Sequence, residues 1–133
     1  MEEFPYGFGI RTSLSPEQAE HEVRRALAEE GFGVLTEIDV AATMKAKLGV
    51  ERPPYKILGA CNPSLAHRAL SCDEQIGLLL PCNVVVYEDD GGSVVAFMDP
   101  VAALGIVGND ALKPIADEAR ARLLRVREKL ASL

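Results

Sequence analysis

The chain has 133 residues, of which 48% are hydrophobic, and a formal net charge of -6. This length fits a single domain, predicted over residues 1–133. Its core is large enough for the chain to fold without disulfide or metal cross-links. An acidic chain repels phosphate backbones, so we predict no nucleic-acid partner. The longest apolar stretch, near residues 76–87, is interrupted by Pro81 and Asn83 and is too short to span a bilayer, so we also predict no membrane association.

The chain has three cysteines, and its acidic N-terminus lacks the pattern of a secretory signal. We therefore predict a reducing, cytoplasmic compartment with free thiols. The three cysteines and His67 lack the close Cys-x-x-Cys spacing of structural zinc sites, so no metal or other cofactor is predicted.

The N-terminal part predicts a strand followed by a helix. Residues 4–12 are rich in aromatic and β-branched side chains, which favours the first strand. A helix over residues 15–30 follows, because Ser15 and Gln18 form a capping box around Pro16. Gly31 is placed to end this helix in the left-handed conformation.

Four further strands are predicted, at residues 32–40, 55–60, 82–87 and 93–98. The alternating residues of the second strand are expected on one face; these are Phe32, Val34, Thr36, Ile38 and Val40. Short helices are predicted at residues 41–48 and from Asn62–Pro63 to about residue 70, and residues 71–76 fit a loop or a helix. The Asp90-Gly91 pair predicts a hairpin between the last two strands. Residues 101–109 fit a loop, and a long C-terminal helix is predicted from Asp110 to about Leu130.

Together these elements predict an α+β fold. We expect a curved, mostly antiparallel sheet of about five strands, with the helices packed on one of its faces. The C-terminal helix also carries apolar residues outside its main stripe, such as Leu124, which are available to a second subunit.

A Cys-Asn dipeptide occurs twice, each time where a predicted strand meets a loop. Cys61-Asn62 closes one apolar run and Cys82-Asn83 opens another. Rigid strand ends present polar groups and thiols well, so these four residues form the candidate ligand site. Asp99, which follows the fifth strand, is a weaker candidate for the same site.

Each of these residues also has a purely structural interpretation. Asn62 fits a helix N-cap, Asn83 fits a strand end, and Asp99 fits the cap of the following turn. The cysteines fit small apolar core residues. A reactive thiol would need a lowered pKa, and Cys61 lies just before a predicted helix N-terminus that could lower it.

Several catalytic signatures are absent. Neither histidine lies in a nucleophile motif, the glycines lack the spacing of phosphate-binding loops, and the acidic run at residues 88–90 fits a solvated turn.

Three segments together resemble one protein family. They are Lys-Ile-Leu-Gly-Ala-Cys-Asn-Pro (56–63), Leu-Leu-Leu-Pro-Cys-Asn-Val-Val-Val-Tyr-Glu (78–88) and Met-Asp-Pro (98–100). They resemble the bacterial and archaeal domain-of-unknown-function family numbered 302, over nearly the whole chain. The resemblance implies a compact α+β fold similar to the TATA-binding-protein class (strand, helix, four strands, helix) and a homodimer. It implies no particular activity.

The leading hypothesis is a non-enzymatic, homodimeric module that binds a small ligand or a partner near Cys61, Asn62, Cys82 and Asn83. The alternative is a thiol enzyme or redox sensor that uses Cys61 or Cys82. A third interpretation is a structural dimer in which the Cys-Asn pairs only terminate strands. The ligand-site hypothesis gains support if Cys61 and Cys82 lie on neighbouring strands and fails if they lie at opposite ends of the sheet.

Overall fold

The computed structural model describes residues 1–133. Its six strands form one antiparallel sheet, in the spatial order β1-β2-β6-β5-β4-β3. The strands are β1 (Glu2–Phe4), β2 (Gly7–Thr12), β3 (Gly33–Asp39), β4 (Tyr55–Cys61), β5 (Cys82–Asp89) and β6 (Gly92–Met98). The sheet and its helices confirm the predicted α+β class.

Five α-helices and two short 3-10 helices connect or follow these strands. The α-helices are α1 (Pro16–Glu29), α2 (Val40–Leu48), α3 (Pro63–Cys72), α4 (Pro100–Gly105) and α5 (Lys113–Ala131); the 3-10 helices are Glu74–Leu79 and Asp110–Leu112. No helix has the length and apolar character needed to cross a membrane.

Helix α1 is bounded by the residues that the sequence singled out. The Ser15 hydroxyl accepts from the Gln18 backbone N–H, and the Gln18 side chain accepts from the Ser15 N–H, both at 3.2 Å. Gly31, just beyond the helix, has a φ of 83°, which a glycine adopts without strain. Both ends of α1 are therefore fixed by local chemistry.

The core has two parts. The larger cluster, of 16 buried residues, lies between one face of the sheet and helices α1 and α5, with Phe8, Val95 and Leu123 among its members. The smaller cluster, of 8 residues, joins α3, α4 and α5 beyond one end of the sheet, around Leu65 and Ile115. Helix α5 contributes to both clusters and so holds the two parts together.

Three boundaries differ from the prediction. The first strand is divided into β1 and β2 by a turn at Pro5-Tyr6, where proline has no N–H for the ladder, so the sheet has six strands instead of about five. The segment predicted as a loop after Met98 contains α4, which Pro100 begins and Asp99 caps. Helix α5 starts at Lys113 instead of Asp110, with Pro114 in its first turn.

Strand β3 also departs from its predicted pattern. The register slips between Val34 and Thr36, so that the strand carries a bulge at Leu35. A bulge reverses the facing of the residues that follow it. Val34 packs against the larger core, whereas Ile38 lies on the other face beside Ile57 and is 49% exposed. The predicted single face for this strand is therefore wrong.

Removing the α1 cap should weaken the fold by a measurable amount. We expect Ser15→Ala to lower the free energy of unfolding by about 1 kcal/mol, because the Gln18 N–H loses its acceptor. Urea denaturation followed by circular dichroism measures this. Ser13→Ala, two residues earlier and exposed, is the matched control and should change the value by less than about 0.5 kcal/mol. Equal losses in the two variants would contradict the role of the cap.

Candidate functional site

The two cysteines of the repeated dipeptide lie at the same end of the sheet. Cys61 is the last residue of β4 and Cys82 is the first residue of β5, and these strands are neighbours. In their register Ala60 is opposite Cys82, so Cys61 lies one residue beyond that pair. Both cysteines line the same cavity beside these strand ends. The structure thus meets the spatial condition that the ligand-site hypothesis set.

A small apolar pocket opens beside these strand ends. It has a volume of about 40 Å³. Its walls are strand ends, helices α3 and α5 and the segment before β5, and its twelve lining residues are Phe32, Ala60, Cys61, Asn62, Leu65, Ala66, Ala69, Leu80, Pro81, Cys82, Ile115 and Ala119. We call this cavity the strand-end pocket. Ligand pockets for drug-sized molecules measure roughly 300–1,000 Å³, so this one suits only a very small group.

The side chain of Asn62, at the rim of the pocket, makes two hydrogen bonds within the protein. Its side-chain oxygen accepts from the Leu65 N–H at 3.2 Å and so caps α3. Its amide nitrogen donates to the Glu30 carbonyl at 3.5 Å, at the end of α1. Because both ends of the amide are used inside the protein, Asn62 positions α3 and has little capacity left for a ligand.

Asn83 and Asp99 do not join the cysteines in the pocket. Asn83 follows Cys82 in β5, so its exposed side chain points to the opposite face of the sheet. Asp99 lies at the same end of the sheet, but its carboxylate accepts from the Val101 N–H at 2.9 Å and from Arg120 Nε at 3.1 Å. It caps α4 and pairs with α5, which is its structural interpretation.

Burial makes both thiols near the pocket poor nucleophiles. It raises the pKa of Cys61, and it raises the pKa of Cys82 to about 11, with a further contribution from Cys61. The expected lowering of the Cys61 pKa by the start of α3 is therefore wrong. Thiolate is the reactive form, so these shifts weigh against the thiol-enzyme alternative. No group of three or more His, Cys, Asp or Glu side chains is arranged to hold a metal ion.

A much larger cleft, of about 690 Å³, lies between the start of α1 and the start of β4. Lys56 on its floor pairs with Glu20 at 2.9 Å and with Glu37 at 2.7 Å, and Arg24 pairs with Glu20 at 2.9 Å. Hydrogen bonds to Glu37 and Glu20 raise the pKa of Lys56. These floor charges pair with one another, so the Asp, Glu, Lys or Arg residue of the lining that is left without an ion pair is Glu17.

Two comparisons bear on identity. The family model described as "Domain of unknown function DUF302" matches residues 8–130. The chain belongs to the DUF302 family. A crystal structure of an uncharacterized conserved DUF302 protein from Bacillus stearothermophilus is 29% identical to it, with a TM-score of 0.87. That match covers 94% of this chain and 98% of the other, and a search of curated proteins finds no match.

Sequence reasoning found the strand-end members of the pocket in this DUF302 protein but missed its helical walls. Ala66 and Ala69 of α3, and Ile115 and Ala119 of α5, lie on apolar stripes that the sequence does show. Those stripes indicate burial without indicating which cavity they line. The ion-paired cleft was also missed, since its lining residues come from three separate elements, α1, β4 and β5.

The two asparagines should differ sharply in their effect on stability. We expect Asn62→Ala to lower the free energy of unfolding by about 1–2 kcal/mol, because α3 loses its cap. Asn83→Ala, the matched control in the second dipeptide, should cost less than about 0.5 kcal/mol, since the side chain is exposed. Urea titration of both variants measures the difference. A larger loss for Asn83→Ala would contradict the assigned roles.

The three thiols should react in a fixed order. At pH 8 we expect alkylation to be fastest at exposed Cys72, slower at Cys61 and slowest at Cys82. With a pKa of about 11, Cys82 is almost entirely protonated at that pH and gains reactivity only as the pH rises toward that value. Mass spectrometry of iodoacetamide-treated protein gives the three rates.

Cys72→Ser provides the control for this order. It should remove the fast phase and leave the two slow thiols unchanged, while urea should make all three thiols react alike. A fast thiol that persists in Cys72→Ser and titrates well below roughly 8.5 would support the thiol-enzyme alternative instead.

Proposed function

We propose that this DUF302 protein is a homodimeric, non-enzymatic binding module that takes a small apolar ligand into the strand-end pocket. The observation that carries the proposal is the meeting of Cys61 and Cys82 at one apolar cavity, formed by strand ends and two helices. The thiols line its wall as neutral groups, which accords with their raised pKa values.

The size and lining of the pocket define the ligand class. A cavity of about 10–15 Å³ is enough to admit a water molecule, but the water needs two to four polar partners to be held there. The pocket has about 40 Å³, and ten of its twelve lining residues are hydrophobic, so water gains little there. An apolar group of similar volume would be favoured over water.

The homodimer is supported by large apolar side chains that the monomer leaves outside both cores. Leu35 and Ile38 of β3 are 69% and 49% exposed, and α2 buries none of its side chains. Ile38 adjoins Ile57 and, through it, Val85 on the sheet, and a contiguous apolar patch of this kind supports a protein contact. The cytoplasmic compartment is supported by the three unpaired cysteines.

Xenon, a small apolar probe, tests the pocket. We expect xenon to shift the methyl NMR signals of Leu65, Leu80 and Ile115 saturably, because these side chains line the cavity. Ala66→Leu, which places a larger side chain in the pocket wall, should abolish those shifts. Ala46→Leu, an exposed position of the same residue type on α2, is the matched control and should leave them unchanged.

Two results would overturn the proposed site. One is a xenon response no larger at these methyls than at exposed Leu78, and the other is a response that survives Ala66→Leu. Both readouts are independent of the oligomeric state, so they test the ligand part of the proposal alone.

A further inference from the structure

The two faces of the sheet differ in what covers them. Residues that alternate toward α1 and α5, such as Phe8, Val84 and Leu58, belong to the larger core. Their neighbours along each strand point to the opposite face, which we call the open face. The buried Ala, Val, Leu and Ile residues of the α-helices all lie in the two core clusters, and α2 buries no side chain, so no helix core packs on the open face.

A continuous row of small and aliphatic residues crosses the middle of the open face. Successive register pairs join its members from β2 to β3, in the order Gly9, Ala96, Val85, Ile57 and Ile38. None of the five packs in either core cluster. On β2 and β6 the row has a glycine and an alanine, so the surface there is low. On β5, β4 and β3 its larger side chains project further from the sheet.

The charge of this row suits a contact between like chains. The protein carries a net charge of -6, so two copies repel one another over most of their surfaces. The central row contains no charged residue. The nearest charge is Glu2 of β1, which lies opposite the glycine at the end of the row and pairs with Arg11; Arg11 also pairs with Asp89. A second copy can therefore cover the row itself without burying an unpaired charge, whereas Arg52, which stacks on Tyr55 of the same face, has no ion pair.

The area of the open face is also close to what a dimer needs. The six strands contain 38 residues, which at about 4.8 Å between strands and about 3.3 Å per residue span on the order of 600 Å² before side-chain relief is added. A stable interface buries about 800 Å² per partner. Face-to-face packing of two sheets at about 10 Å is a standard arrangement.

From these observations we propose that a second copy of the chain covers the open face. This inference rests on the homodimer of the proposed function and specifies its interface. The sheet has three strands on each side of the boundary between β5 and β6. A two-fold axis that runs along this boundary, parallel to the strands, places the β5–β4–β3 half of one copy over the β6–β2–β1 half of the other. The aliphatic half of each copy, with Val85 and Ile57, then fills the shallow half of the other, over Gly9 and Ala96.

Sedimentation velocity at micromolar concentration tests the interface. We expect the mass obtained for the wild-type chain to be twice that of the monomer, and the mass obtained for Val85→Asp to be that of the monomer. Ile38→Asp, at a half-exposed edge position where a charge does not threaten folding, should also weaken the dimer. Leu78→Asp, at an 83% exposed residue away from the sheet, is the matched control and should remain dimeric. Circular dichroism checks that each variant is folded.

The outcomes separate this inference from the homodimer itself. A wild-type dimer that persists in folded Val85→Asp and Ile38→Asp contradicts the open face as the interface but leaves the homodimer standing. A wild-type chain that stays monomeric contradicts both. Dissociation confined to the open-face variants supports both.

Mixing two variants tests the arrangement of the halves. Val85→Asp and Ala96→Lys should each be monomeric alone, because each introduces an unpaired charge into the interface. Mixed in equal amounts they should associate, since residue 85 of one copy then meets residue 96 of the other as an ion pair. A mixture that stays monomeric contradicts the proposed pairing of Val85 with Ala96.

Discussion

The packing of the helices depends on one residue, Glu30, at the end of α1. Its carbonyl accepts from Arg122 Nη1 at 3.0 Å and from the Asn62 amide at 3.5 Å. Its carboxylate pairs with Arg125 at 2.9 Å and with Lys129 at 3.3 Å, and hydrogen bonding to Arg125 is the largest influence that lowers its pKa. The end of α1, the start of α3 and the second half of α5 are thereby held at one point. This junction places α3 and α5 over the strand ends that carry the cysteines.

The same arrangement leaves the chain with two separate surfaces. The apolar stripes of α1 and α5 are both used on one face of the sheet, so the chain has no long helix left for the other face. Consecutive residues of β5 serve the two surfaces, because Cys82 lines the strand-end pocket and Asn83 points to the open face. A dimer formed through the open face would therefore leave the pocket accessible. If both proposals hold, ligand binding and dimerisation can be varied independently by substitution.

Features with a local cause could be predicted from the sequence. The α1 cap, the α3 cap at Asn62 and the Asp90-Gly91 hairpin, where both turn residues have positive φ, depend on residues only a few positions apart. The bulge in β3 and the extra strand β1 could not be predicted, because each depends on the strand it pairs with. Only part of the pocket could be predicted. Its strand ends share a motif that is visible in the sequence, whereas α3 and α5 meet there only through tertiary packing.

The chemistry of the pocket follows from the relative size of two effects. The start of a helix stabilises a nearby anion by about 0.3–1 kcal/mol, less than the 1.36 kcal/mol that corresponds to one pKa unit. Burial in apolar surroundings can shift a pKa by several units in the opposite direction. Cys61 and Cys82 lie among apolar side chains of α3 and α5, so burial outweighs the helix start and both thiols stay protonated at neutral pH. Two neutral thiols are poor nucleophiles, so the cavity is poorly suited to thiol chemistry, and this is consistent with the proposed binding of an uncharged ligand.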